Sequence, residues 1–450
     1  MGRDAKPIRI GTDGFRGTLD EVTPAVAYAL AAALVAEWDA REVVLAWDTR
    51  ESGEALARAA AAGAHAAGAA VCSLGMVPTP AAAFVAAERQ VPAVVITASH
   101  NPYQYNGIKF FSATGMKVEI DVEQRIEDAA NEMVISGAAD VDVSALTLPE
   151  RNEAAVRLYE YFHLGFAASL AGNSLRLVVD CANGAMSEVA PAILATAFGD
   201  GLTCINTAPD GRNINDRCGA VHPEVVGAAV VANGADLGFS FDGDGDRVQA
   251  VDKAGRVLDG DYLIAIIAWA LKKRGTLAGD TVVVSQWANL GFFEAMARLG
   301  VEVVETDVGD RHIFELLERH GWSIGGEQSG HVIMPELLGT GDGLLIAVQI
   351  LRILQAEGRE IGELADEIMV KHPQVARTVQ VGANGRAIAA ALADDIARVR
   401  ESLVASTRLL VRVSGTEPVI RVMCQASTED YASAVVDRVC ALVEHANAAA

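Results

Sequence analysis

Short apolar runs recur along this chain, and most are followed by a stretch with helical periodicity. That alternation admits few architectures, because strands buried on both faces need helices above and below them, which is α/β layering. Val43–Trp47 reads as a buried strand followed by a helix from about Glu54 to Gly68, and Val94–Thr97 and Ile108–Phe111 read as two more strands. A helix over about 121–135 and the segment 136–150 close a first domain. A chain of 450 residues exceeds one core and calls for about three or four domains of ~100–150 residues. The pattern divides it at 1–150, 151–254, 255–370 and 371–450. Leu177–Gly184 and Thr281–Gly291 share a faint repeat of strand, Ala-Asn and helix start, compatible with duplicated domains or with chance. After about residue 371 the pattern changes. Gln374–Val381 alternates, Arg386–Ser402 is helical, Thr407–Val413 and Val419–Gln425 are strands, and Tyr431–Ala449 is a helix, so a smaller antiparallel α+β domain is expected.

The charge excludes some functions. With 36 basic and 59 acidic side chains the net charge is −23, and no Lys/Arg run offers a nucleic-acid surface. A few arginines focused in one cleft can still bind an anionic metabolite. The six scattered cysteines contain no CxxC and suit a reducing compartment. No leader pattern and no apolar run of about 18–20 residues is seen, so the expectation is a cytoplasmic protein without a membrane partner.

Three segments carry chemistry. Val94–Thr97 runs straight into Ala98-Ser99-His100-Asn101-Pro102, which displays a serine hydroxyl at the carboxyl end of a strand, where open α/β sheets place ligands. Such a serine is a candidate phosphate carrier or simply a capping residue. The strand Leu237–Phe241 ends in Asp242-Gly243-Asp244-Gly245-Asp246-Arg247. Alternate residues on extended chain share a face, so three carboxylates can converge on one cation, and all-oxygen ligation suits Mg²⁺. An EF-hand starting at Asp242 fails, having Arg247 where Gly is required and Lys253 where Glu is required. An acidic surface turn is the plainer alternative. A cation there would offset the charge of a phosphoserine at Ser99.

The loop Arg412–Pro418 gathers Arg412, Ser414, Gly415 and Thr416, with Arg421 beyond it, and has the donors a phosphate dianion needs, although Ser-Gly-Thr also occurs in ordinary hairpins. Gly325–His331 offers Glu327, Ser329 and His331 close together, either for sugar hydroxyls or as a structural turn, with His331 an acid/base candidate. Lys109 is the nearest candidate proton shuttle to Ser99. Gly11–Gly17 is neither a Walker loop nor a GxGxxG turn, yet Arg16 between its glycines can approach a phosphate.

Together these segments resemble the α-D-phosphohexomutase family: GTDGFRG (11–17), TASHNPYQYNGIKFF (97–111), DGDGDR (242–247), GGEQSGH (325–331) and RVSGTEP (412–418), with PDGRNIN (209–215) and VGDRH (308–312) also similar. The similarity runs in order over essentially the whole chain. It implies an α/β fold of four domains around a central cleft, three related mixed-sheet domains and a smaller C-terminal α+β domain. It implies that Ser99 is the phosphoserine and that Asp242, Asp244 and Asp246 hold one Mg²⁺ together with its phosphate. Arg16, Lys109 and Arg247 would flank the transferring group, with Lys109 a general acid/base. Glu327 and Ser329 would contact sugar hydroxyls near His331. Arg412, Ser414, Gly415, Thr416 and Arg421 would clamp the phosphate that is not reacting.

The resemblance further implies a mutase that passes through a bound sugar 1,6-bisphosphate, which also serves as activator, with hexosamine phosphates as partners and a homodimer as a conceivable assembly. Within the family, Gln328 and Glu417 favour a glucosamine phosphate over glucose or mannose phosphates. Ala220-Val221, Gln104 and Cys424-Gln425-Ala426 depart from the usual pattern without touching a proposed catalytic group. The competing expectations are a phosphomannomutase/phosphoglucomutase, a non-catalytic Mg²⁺-dependent sugar-phosphate binder, and a phosphatase.

Overall fold

Among the described residues the apolar runs form four sheets, three of which repeat one design. The computed structural model describes residues 7–11, 13–414 and 418–449. They form two bodies, one running to Trp287 and resuming at Val301–Ala365, the other made of Ala288–Gly300 and Asp366–Ala450.

In the first body, β1 (Phe15–Thr18), β2 (Glu42–Trp47), β3 (Ala70–Met76), β4 (Ala93–Ile96) and β5 (Tyr105–Phe111) form a sheet ordered β1-β5-β4-β2-β3. A second sheet has β6 (Leu177–Asp180), β7 (Leu202–Ile205), β8 (Leu237–Phe241), β9 (Val248–Asp252) and β10 (Val257–Leu258) in the order β10-β9-β8-β6-β7. A third has β11 (Thr281–Ser285), β12 (Glu302–Thr306), β13 (Gly325–Gly326) and β14 (Val332–Ile333) in the order β12-β11-β13-β14.

In each sheet one strand lies between two parallel neighbours, and the second of these turns back into an antiparallel partner. The β4–β5 connection therefore carries Ser99, the β8–β9 connection Asp242–Asp246, and the β13–β14 connection Glu327–His331. Three chemistry-bearing loops thus occupy one topological position, at carboxyl ends of strands beside a parallel pair. Strands β4, β6 and β8 are buried at every residue, as strands covered on both faces require.

Packing around the first sheet relies on small residues. Thr23 Oγ1 caps the helix Pro24–Trp38, whose buried Val26–Val35 stretch packs against the alanine-rich helix Gly53–Ala66. Helices whose facing side chains are mostly methyl groups can approach closely and fill the interface without voids.

The second body is built on β15 (Gln374–Gln380), β16 (Arg408–Val413) and β17 (Val419–Gln425), all antiparallel in the order β15-β17-β16. Ile420, Val422 and Cys424 pack in one core with Val436, Val439 and Val443 of the helix Glu429–Ala449. The helix expected over Arg386–Ser402 is two helices, Gly385–Ala391 and Ala393–Glu401, with Leu392 between them at φ −91, ψ 2. Asp394 and Asp395 lie in the first turn of the second helix, where its dipole favours negative charge and a fresh start. The strand expected at the start of Leu177–Gly184 spans Leu177–Asp180. Among the described residues no helix is long and apolar enough to cross a membrane.

The loops meet through glycines. A Cβ on Gly184 would lie 2.4 Å from Gly243 O, the atom that accepts a 2.8 Å hydrogen bond from Ala185 N. Gly184→Ala should cost about 1–3 kcal/mol in denaturant titration. Gly165→Ala, whose methyl meets nothing within 4 Å, should instead gain about 0.5–1 kcal/mol. Equal effects would contradict this packing.

Candidate active site

The loop after β4 is held by one buried arginine. Ser99 sits at φ 51, in the left-handed region, and its side chain is fully buried. Arg50 donates to the carbonyls of Ser99 (3.0 Å), Asn101 (2.7 Å), Pro102 (2.5 Å) and Tyr105 (2.9 Å). A guanidinium has enough donors in a rigid plane to gather four carbonyls, which an ammonium could not do. Arg50 is itself paired with Asp48 at 2.9 Å, both side chains fully buried, and Asp48 accepts Thr97 Oγ1 at 2.7 Å. Burial pushes the Asp48 carboxyl up from its ordinary value, with Arg50 opposing. Ser99 N donates to Thr97 Oγ1, and Asn215 Nδ2 donates to Ser99 O. Strain at Ser99 is thus over-determined by its surroundings, a pattern typical of functional loops.

The loop after β8 meets this serine directly. Ser99 Oγ donates to Asp242 Oδ2 at 2.7 Å. Asp244 Oδ2 accepts from Thr79 Oγ1 at 2.6 Å and from Lys109 Nζ at 2.9 Å, and Asp246 Oδ2 accepts from Lys109 Nζ at 3.0 Å. One oxygen from each of Asp242, Asp244 and Asp246 lies within 4.8 Å of the others. Asp244 Oδ1 and Asp246 Oδ1 are buried without a hydrogen-bond partner. Buried carboxylate oxygens are costly without compensation, so this donor set fits a hard divalent cation such as Mg²⁺. Burial, then Asp246 and Asp244, push the Asp242 carboxyl well above its ordinary value. Only glycine fits at Gly243, where a Cβ would lie 2.7 Å from Ser99 O. The same holds at Gly245, with φ +75 and Met186 Cε 2.6 Å away.

Cations surround the pair. Burial disfavours the charge on Lys109, yet Asp13, Asp244 and Asp246 outweigh it and hold the amine above the ordinary lysine value. Lys109 is therefore an ammonium, suited to donate a proton or to neutralise charge rather than to act as a free base. Arg16 pairs with Asp13, and Lys117 bridges Asp13 and Asp310 at 2.6 Å each. Burial opposes the charge on Arg247 as well, but Asp246 and Asp242 raise its pKa, with a further contribution from Glu327. His100 Nδ1 lies 3.4 Å from Ser99 Oγ. Burial, then Arg247 and Arg16, push this imidazole down to about 4. A neutral histidine in a positive field beside the serine marks a place prepared for an anion.

The loop after β13 completes the set. His331 is buried, with Nδ1 3.7 Å from Asp246 Oδ1 and Nε2 3.3 Å from Asp310 Oδ2. Burial lowers its pKa, but the two carboxylates prevail and raise it. Glu327 Oε1 accepts from Gly309 N at 3.2 Å, and Ser329 Oγ is buried without a partner. Gln328 is bonded to the start of the helix Gly260–Arg274. Its Nε2 donates to Asp261 Oδ2 at 3.0 Å and its carbonyl accepts from Gly260 N, so it shapes the loop.

The structure thus links Ser99, Lys109, Arg16, Arg247, His331 and the three aspartates in one polar network. It adds Asp48, Arg50, Thr79 and Lys117, which the sequence reading missed, and Asp13, Asn215 and Asp310, which lie in the segments quoted above but were given no role. Trp47-Asp48-Thr49-Arg50 at the end of β2 was the available signal for two of them. In the second body, Arg412 and Arg421 are directly paired across β16 and β17, and Ser414 N donates to Val419 O at 2.9 Å. Like charges directly opposite each other repel, so this cross-strand pair concentrates positive charge at one place on the sheet. Gly415 and Thr416 lie outside the described residues.

A fold of three related α/β units whose equivalent loops bring a serine and three carboxylates together among clustered cations defines a phosphoryl-transfer enzyme. Comparison with known proteins gives the particular family. Residues 7–134, 158–255 and 259–372 match alpha/beta/alpha domains I, II and III of phosphoglucomutase/phosphomannomutase, and 370–442 match its C-terminal domain. The chain is 43% identical over 446 residues to a phosphoglucosamine mutase of Carboxydothermus hydrogenoformans, covering 96% of this chain and 98% of that protein. It is 42% identical to the phosphoglucosamine mutase of Desulforudis audaxviator, covering 96% and 97%. A phosphoglucomutase/phosphomannomutase family protein from Burkholderia thailandensis has the same fold, with TM-score 0.77, 24% identity and 97% of each chain covered. The chain belongs to the phosphoglucomutase/phosphomannomutase family, the α-D-phosphohexomutases, and is an enzyme of that isomerase class.

The field around Ser99 has a measurable consequence. In unphosphorylated protein the His100 imidazole should titrate near pH 4 by NMR, against 6.5 for an ordinary histidine. Between those values the unfolded chain binds more protons, so this group lowers stability as pH falls from 6.5 towards 4. His100→Asn should flatten that part of the stability profile. A midpoint near 6.5 would contradict the assigned field.

Proposed function

We propose that this enzyme interconverts glucosamine 6-phosphate and glucosamine 1-phosphate, with Ser99 as the phosphoryl carrier and one Mg²⁺ on Asp242, Asp244 and Asp246. The observation that carries it is the 2.7 Å contact of Ser99 Oγ with one of three clustered carboxylates, two of which keep a buried oxygen without a donor. Relatives covering nearly the whole chain at about 40% identity are phosphoglucosamine mutases, which supports the amino sugar.

Phospho-Ser99 gives its phosphoryl group to the free hydroxyl of the sugar phosphate, forming a bound 1,6-bisphosphate. The second phosphoryl group then returns to Ser99, so the same bisphosphate restores an enzyme that has lost its phosphate. The bond from phosphorus to the Ser99 oxygen breaks as the bond to the sugar oxygen forms. Mg²⁺ bound at the three aspartates would neutralise charge on the transferring group. Arg50 and Asn215 keep the serine loop rigid, so that the carrier oxygen is positioned before reaction. Lys109, held as an ammonium, is the proton donor proposed for the departing Ser99 oxygen, and the proton lost by the attacking sugar hydroxyl restores the ammonium, so the step neither gains nor loses protons. Arg16 and Arg247 offer fixed positive charge to the phosphoryl oxygens. Glu327 and Ser329 are proposed to bind sugar hydroxyls beside His331, and Arg412, Ser414, Gly415, Thr416 and Arg421 to hold a phosphate. Hexosamine phosphates in the cytoplasm are the proposed partners.

The test is turnover of glucosamine, glucose and mannose 6-phosphates side by side, with Ser99→Ala as the control. The glucosamine compound should give the highest kcat/KM by at least about tenfold, and Ser99→Ala should abolish turnover while keeping the fold. Preference for glucose or mannose phosphate would overturn the sugar assignment, and undiminished turnover by Ser99→Ala would overturn the carrier.

A further inference from the structure

We propose that Asp342, held by Tyr159 and His163, is a positioning residue for the metal loop, setting how well the carboxylates of Asp242–Asp246 close on a cation. The inference rests on reading those aspartates as a cation site.

Asp342 is 1% exposed, and Tyr159 and His163 are completely buried. Its two carboxylate oxygens have separate tasks. Oδ1 accepts Leu345 N at 3.0 Å and caps the helix Gly343–Glu357. Oδ2 accepts Tyr159 Oη at 2.8 Å and His163 Nε2 at 2.9 Å. Tyr159 and His163 are four apart on the helix Glu153–Ala167 and so share one face. Because the partner is a carboxylate acceptor, Nε2 is the donor. His163 Nδ1 is left buried without a hydrogen-bond partner. An apolar side chain would avoid that unsatisfied nitrogen, so the imidazole is explained by the bond it makes to Asp342.

What Asp342 anchors is the strip of backbone lying against the metal loop. Gly343 N donates to Gly245 O at 3.0 Å. A Cβ on Gly343 would lie 2.6 Å from Arg247 O, and one on Gly341 would lie 2.7 Å from Asp246 O and 2.6 Å from His331 Cε1. The peptide 341–343 is therefore flush with residues 245–247 and with the His331 ring, leaving no space for a side chain at 341 or 343. Mg²⁺ tolerates little distortion of its ligands. A shift of this strip moves Gly245–Arg247, and with it the Asp246 carboxylate.

Asp342→Asn keeps the size and a capping oxygen but replaces the acceptor for two donors. Tyr159→Phe removes one hydroxyl and retains the ring packing. Mg²⁺ binding to the full-length unphosphorylated protein is read by isothermal titration calorimetry, with Asp242→Ala as the blank and melting temperature recorded in parallel. Asp342→Asn should weaken Mg²⁺ binding by about 10-fold or more, and Tyr159→Phe by a smaller factor in the same direction. The kcat at fixed low Mg²⁺ should fall and recover as Mg²⁺ is raised, a rescue that a merely structural role would not give. Wild-type Mg²⁺ affinity in both variants, whatever their melting temperatures, overturns the proposal. Failure of the wild-type protein itself to bind Mg²⁺ overturns instead the reading of the aspartates as a cation site.

Discussion

The hydrogen bond from Ser99 Oγ to Asp242 joins loops 143 residues apart, and the rest of the site is arranged so that it can exist. It places a hydroxyl beside three buried carboxylates, which repel one another and resist burial. The cost is met locally by Lys109, bonded to Asp244 and Asp246, and by Arg247 and His331 alongside. Two carboxylate oxygens still lack a donor. The remaining deficit is of the kind a divalent cation removes, and a phosphoryl group would enter a field already made positive by Arg16 and Arg247.

Topology supplies the meeting point. Each of three sheets sends one strand of its parallel set into a loop and back through an antiparallel partner, and those loops carry Ser99, Asp242–Asp246 and Glu327–His331. One repeated design thus sets Ser99, the three aspartates and a third polar loop at equivalent positions. Glycines at 184, 243, 341 and 343 let these loops touch backbone to backbone. Rigidity comes from buried charge with full hydrogen bonding: Arg50 gathers the serine loop, and Asp342 ties the strip beneath the metal loop to the helix Glu153–Ala167.

Much of this was legible in the sequence where the signal is contiguous. A buried strand running into Ser99, or into alternating aspartates, announces both its element and its chemistry. The antiparallel character of the last domain followed from two strands separated by a short loop. Residues that act alone from distant segments were not legible. Arg50 and Lys117 each look like an ordinary charge at an element end, Asp13 and Asp310 lie in the segments GTDGFRG and VGDRH without a role, and only the tertiary fold reveals what they face. The Tyr159–His163–Asp342 cluster is hidden for the same reason. The break at Leu392 was missed because its helical periodicity continues on both sides. Gln328, read through the resemblance as a mark of the glucosamine enzymes, agrees with the relatives found, and its amide bonds Asp261 and so acts on loop shape.

The central claim is that Ser99 both donates and accepts phosphate, which separates a mutase from a hydrolase. It is tested most directly by a single turnover of protein carrying an isotopically labelled phosphoryl group on Ser99, mixed with unlabelled glucosamine 6-phosphate. The account predicts label first in a sugar bisphosphate and then in hexosamine monophosphate, with Ser99 carrying unlabelled phosphate at the end. Label released as inorganic phosphate, or retained on Ser99 while product forms, would contradict it.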